Sequence, residues 1–465
     1  MSIHKINPER KYFNYEGKLP PVRLEKEPAH LPVPGPRTGP KLITDTTMRD
    51  GAQDPCFAIL PNETKLKYFD LLHELDNGTG NIDSVEVFIY QKRDLWTLEK
   101  LLSRGYAFPR VTTWTRATAK DIKDLVQVAG GKVAETGMLA SCSDHHIFDR
   151  LGFRSKEEAA EKYLAPILTA CECGITPRVH LEDATRSDVE GWVVPFMCRV
   201  MEETKHRARF RVCDTLGLGS PDPYTSLPFG IPRLVSTLLQ ASGAELEFHG
   251  HNDFGYATAN SMAAFRYGCK RVNVTFAGLG ERTGNAPLEQ VLANYVREYG
   301  DPGLNLEALT EMTALMQKEV VPVSEKQPIV GSSIFTTQAG LHQTGVQRQA
   351  QAPGGLIYLP FDSGIMGREE VELNRIGALS GMDGIVSILN DHHGAASGAQ
   401  GPKYTTTSRV AKLVYDQVHA AYDGRYDEVE GRYVGYRTTF FRAEELAEMA
   451  RRIEDERRGS QPDEK

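Results

Sequence analysis

Two histidines in the segment FHGHND stand two residues apart. On an extended strand, residues with this spacing point the same way, so His249 and His251 would present two imidazoles to one point. Two imidazoles and a carboxylate suit a divalent cation that keeps open coordination positions. An isolated pair of histidines with this spacing more often has a structural role, in which one ring packs and the other forms hydrogen bonds, than a metal-binding role. Asp50 in LITDTTMRDGAQDP favours the metal interpretation, because it follows the first predicted strand and could reach the same centre.

Arg49 stands directly before this carboxylate. A guanidinium stays charged in any environment, so beside a metal it can stabilise the oxyanion that forms on a carbonyl. The alternative is a surface salt bridge. It is less favoured because Gly51 follows and marks a constrained loop at the end of the strand.

The segments that position these residues alternate between short β-rich runs and longer amphipathic runs. Helical patterns with apolar residues every three or four positions occupy 63–75, 155–172 and 255–268. The predicted strands are 41–47, 84–88, 109–115, 133–139, 176–182, 208–214, 245–249 and 271–276. This alternation fits an α/β fold, either a closed (β/α)8 TIM barrel or a doubly wound sheet.

The position of polar residues favours the closed barrel. Carboxylates, a guanidinium, a hydroxyl and imidazoles gather where strands are predicted to end: Arg49, Asp50, Glu86, Glu182, Asp214, Thr215, His249 and His251. In a TIM barrel these ends form one catalytic face. The sequence therefore predicts a TIM barrel with its site at the carboxyl ends of the strands.

Composition divides the chain into four predicted parts. Residues 1–40 read as an extended N-terminal arm, with seven prolines between positions 20 and 40. Residues 41–300 form the predicted TIM-barrel domain, and 301–450 a mainly helical accessory region that contributes to the active site. The charged residues 451–465 are predicted to be a disordered tail.

Charge and apolar content restrict the class of protein. The net charge of −8 is spread over mixed-sign segments, which argues against nucleic acid as a partner. The sequence has neither a long apolar run nor a signal-peptide pattern, so a cytoplasmic protein without a membrane partner is expected. Seven scattered cysteines fit reduced thiols. The pair Cys171 and Cys173 is a weak candidate for a metal or redox site.

Several ordered motifs resemble one family, the metallolyase-type TIM barrels that include isopropylmalate synthase, homocitrate synthase and the Re-face citrate synthases. The first-strand segment and HGHND are its hallmarks. The resemblance continues through RVHLEDATRSD, VCDTLGLG, GLGERTGNAPLE, AGLHQTG and YLPFDSGIMGR, and so covers roughly residues 41–381.

The resemblance implies roles for individual residues of the barrel. Asp50, His249 and His251 match the metal ligands, for Mn²⁺, Mg²⁺, Co²⁺ or Zn²⁺, and Arg49 matches a catalytic arginine. Glu182 matches an acid near metal and substrate, and could instead form a barrel ion pair. Thr215 matches the residue that binds the 2-oxo acid carboxylate. Further implied pocket residues are Gln53, Glu281 and Asn285. Thr215 could also be a helix cap, and the segment GLGERTGNAPLE could form only the turn that precedes a helix.

Two residues of the accessory region match a catalytic pair. His342 in GLHQTG and Tyr358 in IYLPFDSG resemble residues that the family usually supplies to the partner subunit's barrel, which implies a homodimer with shared active sites. Tyr358 could alternatively be a core aromatic. Ala52 stands where most relatives carry an acid or amide. We interpret this difference as an adaptation of the pocket to a different substrate.

The resemblance also implies the reaction, a condensation of acetyl-CoA with a 2-oxo acid. SDHHIFDRLGFRSKEEA and LGLGSPDPYTSLPFGIPRL look closest to the Re-face citrate synthases and to phosphinomethylmalate and phosphonomethylmalate synthases. Oxaloacetate or a phosphorus analogue is therefore expected, with homocitrate or 2-isopropylmalate synthase as alternatives. A hydroxymethylglutaryl-CoA-type lyase or a non-catalytic binding protein is less favoured.

Cationic residues just after predicted strands agree with a dianionic substrate. They are Arg116, His145, His146 and Arg186. Each could instead be a solvated loop residue. In the implied mechanism the metal polarises the ketone, His342 with Tyr358 removes a methyl proton, and Arg49 stabilises the oxyanion.

Overall fold

Eight parallel strands close into a barrel in chain order, with the first strand paired to the eighth. This confirms the closed barrel and excludes the doubly wound sheet. The strands are β1 (Leu42–Asp45), β2 (Ile82–Val87), β3 (Arg110–Thr115), β4 (Glu135–Ser141), β5 (Thr176–Glu182), β6 (Arg209–Asp214), β7 (Leu246–Gly250) and β8 (Arg271–Val274). Each predicted strand is present, with ends that differ by at most two residues.

The structure is a computed structural model that describes residues 5–13, 31–35, 39–349, 356–368, 371–397 and 402–459. By its contacts the chain divides into two units, Met1–Val323 and Ser324–Lys465. Of the predicted N-terminal arm, residues 5–13 and 31–35 are described and contain neither helix nor strand; the rest of 1–40 lies outside the described residues.

A helix follows every strand of the barrel. These helices are α1 (Asn62–Asp76), α2 (Lys92–Ser103), α3 (Ala119–Ala129), α4 (Lys156–Glu172), α5 (Val194–Glu203), α6 (Ile231–Ser242), α7 (Ala257–Arg266) and α8 (Leu288–Tyr299). Side-chain caps begin two of them, because Thr118 and Ser155 each accept a hydrogen bond from a backbone N–H of the first turn. The apolar faces of the helices pack on the outside of the sheet.

The first unit ends later than predicted. Helix α9 (Ala308–Glu319) belongs to it, so the boundary lies at Val323 rather than at residue 300. The contacts with α1 explain this, since the hydroxyl of Thr64 donates to Glu319 over 2.7 Å. The sequence after residue 300 therefore adds a helix to the first unit, and the second unit begins at Ser324.

The second unit is mainly helical. It contains α10 (Gly340–Gln349), α11 (Met382–Ser397), α12 (Arg409–Asp423), α13 (Ala443–Gly459) and a hairpin of β9 (Arg425–Asp427) and β10 (Arg432–Val434). Its core includes Ile385, Leu389, Val414, Val418 and Leu446. The predicted accessory region therefore has a hydrophobic core of its own.

The predicted tail is corrected over most of its length. Residues 451–459 continue α13, while 460–465 lie outside the described residues. Leu446, Ala450 and Ile453 are buried along one face, whereas Glu448, Arg451, Arg452 and Asp455 are exposed. High charge suggested disorder, but an amphipathic helix can carry charge on its exposed faces. Throughout the described part of the chain, each helix is too short or too polar to span a membrane.

Candidate active site

Two imidazoles and one carboxylate converge at the carboxyl end of the barrel. His249 is the last residue but one of β7, His251 directly follows the strand, and Asp50 lies in the turn after β1. The two Nε2 atoms are 3.3 Å apart, and an oxygen of Asp50 lies 3.8 Å from one and 3.9 Å from the other. All three residues are buried. Three donor atoms at these separations can be brought to one ion at ordinary ligand distances, so they fit a divalent cation.

The electrostatics place these groups in the protonation states that bind metal. Burial lowers the pKa of His249 to about 3 and also lowers that of His251, so both imidazoles are neutral at pH 7. Burial raises the pKa of Asp50, but Arg49, His249 and His251 outweigh it and hold this pKa well below its usual range. A neutral imidazole and an ionised carboxylate are the ligand forms.

Amides fix the orientation of two of these groups. The Nδ1 atom of His249 lies 2.8 Å from Oδ1 of Asn273, whose Nδ2 donates to the hydroxyl of Thr44 over 2.9 Å. Because Asn273 turns its oxygen to the ring, the proton of His249 is on Nδ1 and Nε2 is left for a ligand. Asn285 donates to Asp50 over 2.8 Å. Its Oδ1 and the Nδ1 of His251 are buried without a hydrogen-bond partner among the described residues.

Arg49 is a buried group, which excludes the surface salt bridge. Its Nε donates to Glu86 over 2.6 Å and its Nη1 to Asp50 over 2.7 Å, and its guanidinium carbon lies 5.9 Å from the ring centre of Trp114. Two charge-assisted hydrogen bonds hold the guanidinium in one orientation beside the candidate metal centre.

Glu86 connects Arg49 to the interior of the barrel. It also accepts hydrogen bonds from Arg178 and Arg211. Burial raises its pKa, but Arg211, Arg49 and Arg178 outweigh this and hold the pKa well below the usual range. The sequence placed Glu86 at a strand end but gave it no role; its contact with Arg49 makes it a support for the site.

A polar wall stands on the opposite side of the barrel, across from β8 and β1. Arg150, which sequence reasoning missed, donates to Glu182 over 3.0 Å and to Ser141 over 2.7 Å. Nδ1 of His146 lies 3.3 Å from Glu182. Burial raises the pKa of Glu182, but His146, Arg150 and Ser141 bring it down to about 2. Glu182 is therefore a carboxylate at pH 7 that orients its neighbours. The spacing of four between His146 and Arg150 was the available signal.

Arg186 and Thr215 extend this polar wall. Arg186 donates to both carboxylate oxygens of the buried Asp183, at 2.7 Å and 3.1 Å. The hydroxyl oxygen of Thr215 accepts the backbone N–H of Asp183 over 2.8 Å, which leaves the hydroxyl proton available to another acceptor. His145 is partly buried, and this burial lowers its pKa, so it is neutral at pH 7.

Three of the predicted pocket residues are exposed. Gln53 ends the helical turn after Asp50, and Glu281 lies in the loop before α8. Arg116 is 66% exposed, pairs with Asp121 at 3.0 Å and covers the ring of Tyr90. The structure does not bring Arg116 together with the polar wall. Beside Glu281, Arg282 donates to Asp253 and to the carbonyl of Thr215, and so links two loops.

His342 and Tyr358 lie together in the second unit. Their rings stack with centres 4.3 Å apart, and both side chains are exposed. Tyr358 is therefore not a core aromatic. The cysteines are free thiols, and among the described residues the three donors Asp50, His249 and His251 are the cluster that could hold a metal, which leaves Cys171 and Cys173 outside it.

The fold and the site define a class of protein, a (β/α)8 barrel with a candidate divalent metal centre and an adjacent buried arginine at the carboxyl ends of its strands. The chain belongs to the HMGL-like family, whose model matches residues 41–316.

Three relatives are similar over most of this chain. Citrate (Re)-synthase of Clostridium kluyveri is 39% identical over 76% of this chain and 77% of its own length. A citrate (Re)-synthase of Syntrophus aciditrophicus is 35% identical over 81% of this chain, which spans 59% of that relative. The 2-phosphinomethylmalate synthase of Streptomyces hygroscopicus is 34% identical over 76% of this chain and 80% of its own length.

A solved structure agrees with the fold. The HMG-CoA lyase of Bacillus subtilis matches with a TM-score of 0.50 and 17% identity, covering 63% of this chain and 98% of the lyase. At this identity the match shows the barrel fold alone.

Proposed function

We propose that this chain is an acyltransferase that condenses acetyl-CoA with an oxaloacetate-like 2-oxo acid, converting the acyl group to an alkyl group on transfer. The observation that carries the proposal is the convergence of Asp50, His249 and His251 beside the buried Arg49. The likeness to two citrate (Re)-synthases and a 2-phosphinomethylmalate synthase supports this reaction class.

The metal centre and Arg49 would act on the 2-oxo acid. Asp50, His249 and His251 would hold a divalent cation, which would supply Lewis-acid polarisation of the substrate's ketone. Arg49, already oriented by Glu86, lies beside that position and stabilises negative charge on the ketone oxygen. Thr215 offers its free hydroxyl proton to the substrate carboxylate.

His342 and Tyr358 are proposed to activate the acetyl group. An imidazole nitrogen of His342 takes a proton from the acetyl methyl carbon, with the Tyr358 hydroxyl assisting, and the carbanion forms a bond with the ketone carbon. The ketone oxygen receives the electron pair and then a proton. Water cleaves the thioester, which releases the CoA thiol and a new carboxylate. The exposed, stacked rings support this role, because substrate can reach them.

The polar wall supports a dianionic acid, oxaloacetate or its phosphinate or phosphonate analogue. At the end of β4 and in the turns after β4 and β5 the structure has polar residues in place of the apolar wall that a branched side chain needs: Ser141, His146, Arg150 and Arg186. A buried anionic group without a partner is costly, so a wall of donors selects for a second anionic group. Gln53, Glu281 and Asn285 remain proposed pocket residues.

Condensation is favoured over cleavage of an acyl-CoA by a lyase. The aligned stretch shared with the Clostridium relative is 365 residues long, more than the segment 41–316 that the family model matches. The likeness therefore runs beyond the barrel. We further propose a homodimer with shared sites, a cytoplasmic location, and Mn²⁺, Mg²⁺, Co²⁺ or Zn²⁺ as the ion.

Release of the CoA thiol tests the proposal. Acetyl-CoA and oxaloacetate should release thiol in the presence of Mn²⁺ or Mg²⁺, and a chelator should abolish the release. The double variant His249→Ala, His251→Ala should lose both the release and divalent-metal binding, whereas a matched double variant at the half-buried His392 and His393 of α11 should keep both. Full activity after metal removal would overturn the metal assignment.

A further inference from the structure

The described N-terminal residues 5–13 lie against the polar wall of the barrel. They contact the turn His145–Arg150 after β4 and the turns after β5. We infer that Arg10, Lys11 and Tyr12 are positioning residues for the 2-oxo acid pocket, an inference that rests on the proposed function and assigns part of its substrate selection to this segment.

Two side chains of the segment hold the outer face of the turn. The guanidinium of Arg10 lies 4.0 Å above the ring of Phe148. The ring of Tyr12 contacts His145 edge to face with centres 5.0 Å apart, and its hydroxyl donates to Asp149 over 3.2 Å. These contacts fall on both sides of His146, which faces Glu182.

Lys11 completes a buried charge cluster beneath the same turn. Asp144 and Asp188 are buried, and between them lies the fully buried Lys156, whose Nζ is 3.3 Å from one carboxylate and 3.9 Å from the other. One lysine neutralises only one of the two carboxylates. Lys11 supplies the second cation, 3.0 Å from Asp188, and its backbone N–H donates to Asp144.

The position of the two carboxylates connects this cluster to substrate binding. Asp144 directly precedes the turn that carries His146 and Arg150, and Asp188 follows the turn that carries Arg186. Without Lys11, a buried carboxylate would lack its counterion, and the turns that it anchors would have to move to reach water or another cation. The candidate metal centre stands on β1 and β7, so it should not change.

Lys11→Met in the full-length, metal-loaded protein tests this inference, with Lys5→Met as the matched control. Both changes remove one positive charge from the same segment and both side chains are exposed, but only Lys11 forms an ion pair with Asp188, whereas Lys5 forms none among the described residues. With oxaloacetate and acetyl-CoA, Lys11→Met should raise the KM for oxaloacetate about tenfold or more, with kcat within about threefold of the parent. The affinity for Mn²⁺, measured by calorimetry, should stay within about twofold of the parent, since its ligands are untouched.

A readout without activity separates this inference from the proposed function. Hydrogen–deuterium exchange of the backbone amides at 143–153 should speed up in Lys11→Met and stay unchanged in Lys5→Met. If the parent protein released no thiol with oxaloacetate, the proposed function would be wrong. The hydrogen–deuterium exchange experiment would still show whether Lys11 positions the turn.

Two results would overturn the inference. One is unchanged exchange at 143–153 in Lys11→Met. The other is a parallel loss of kcat and Mn²⁺ affinity at unchanged KM, which indicates general destabilisation. If Lys11→Met does not fold, Tyr12→Leu removes the contacts with His145 and Asp149 without a change of charge and should show the same rise in KM and exchange.

Discussion

Arg49 touches both a candidate metal ligand and the buried charges of the barrel interior. Arg49→Lys keeps one positive charge but loses the planar fork that reaches Asp50 and Glu86 together. We expect turnover to fall about a hundredfold or more, with a smaller change in KM. Steady-state kinetics measure this, with Arg199→Lys as control, a half-buried arginine of α5 that pairs with Glu203. Near-normal turnover in Arg49→Lys would show that this guanidinium is not the oxyanion residue.

Asn273 determines which nitrogen of His249 carries a proton. Asn273→Leu removes the acceptor 2.8 Å from Nδ1 and frees the ring to rotate or change tautomer. Divalent-metal affinity should fall about tenfold to a hundredfold, as for other groups that orient a metal-binding histidine. Calorimetric titration of the metal-free protein with Mn²⁺ checks this, and an unchanged dissociation constant would refute the orienting role.

Asp45 gives stability a pH dependence of known sign. Burial raises its pKa in the folded protein to about 7, against the ordinary value of 3.8. Between these two pH values the folded state holds a proton that the unfolded chain has lost, so this group's contribution to stability decreases as pH rises towards 7.

Asp45→Asn removes this titration. The free energy of unfolding of the variant relative to the parent should therefore rise between pH 4 and 7, by at most about 1.4 kcal/mol per pH unit. Denaturant unfolding at several pH values measures the difference. A difference that is independent of pH would contradict the assignment.

Residue spacing predicted the metal cluster but not the whole polar wall. His249 and His251 follow from the alternation of a strand, and Asp50 from the end of β1. Arg150 was missed because its position depends on how the six residues His145–Arg150 wind back over Glu182. Arg116 was predicted to lie near the pocket because it directly follows a predicted strand. Its ion pair with Asp121 at the start of α3 holds it at the surface instead.

Strand β4 needs a glycine at a crowded position of the barrel interior. A Cβ at Gly137 would lie 2.5 Å from Nε2 of His180 and 3.1 Å from a carboxylate oxygen of Glu86. Gly137→Ala should therefore destabilise the protein by about 1–3 kcal/mol and, through Glu86, disturb Arg49. Denaturant unfolding together with kcat tests both effects. An unchanged midpoint with unchanged kcat would show that the interior can absorb the methyl group.

The strands were predictable from the sequence because a single property, a short β-rich run, marks each of them. The β-rich runs gave all eight strands, because parallel strands covered by helices are buried on both faces. The register that closes β1 onto β8 is a property of the complete set of strands, so only the structure shows it. Helix α13 was misjudged because its charge was weighed above the apolar stripe of Leu446, Ala450 and Ile453.

Shared active sites are a prediction about the whole molecule. If each site combines the barrel of one subunit with His342 and Tyr358 of another, two inactive variants can complement each other. Asp50→Asn and His342→Gln should each be inactive. After mixing and subunit exchange, activity should return to about a quarter of the parent's, because half of the dimers are mixed and each holds one intact site. Absence of recovery in a mixture shown to have exchanged subunits would contradict shared sites.

Competition between 2-oxo acids tests both the proposed condensation and the preference for a dianionic acid. Oxaloacetate, phosphonopyruvate, 2-oxoglutarate and 2-oxoisovalerate compete in one mixture with acetyl-CoA and Mn²⁺, and the condensation products are quantified by mass spectrometry. We expect the product of oxaloacetate or of phosphonopyruvate to dominate, and a chelator to abolish all products. Dominance of the 2-oxoisovalerate product would contradict the dianionic pocket, and the absence of any condensation product would contradict the proposed reaction itself.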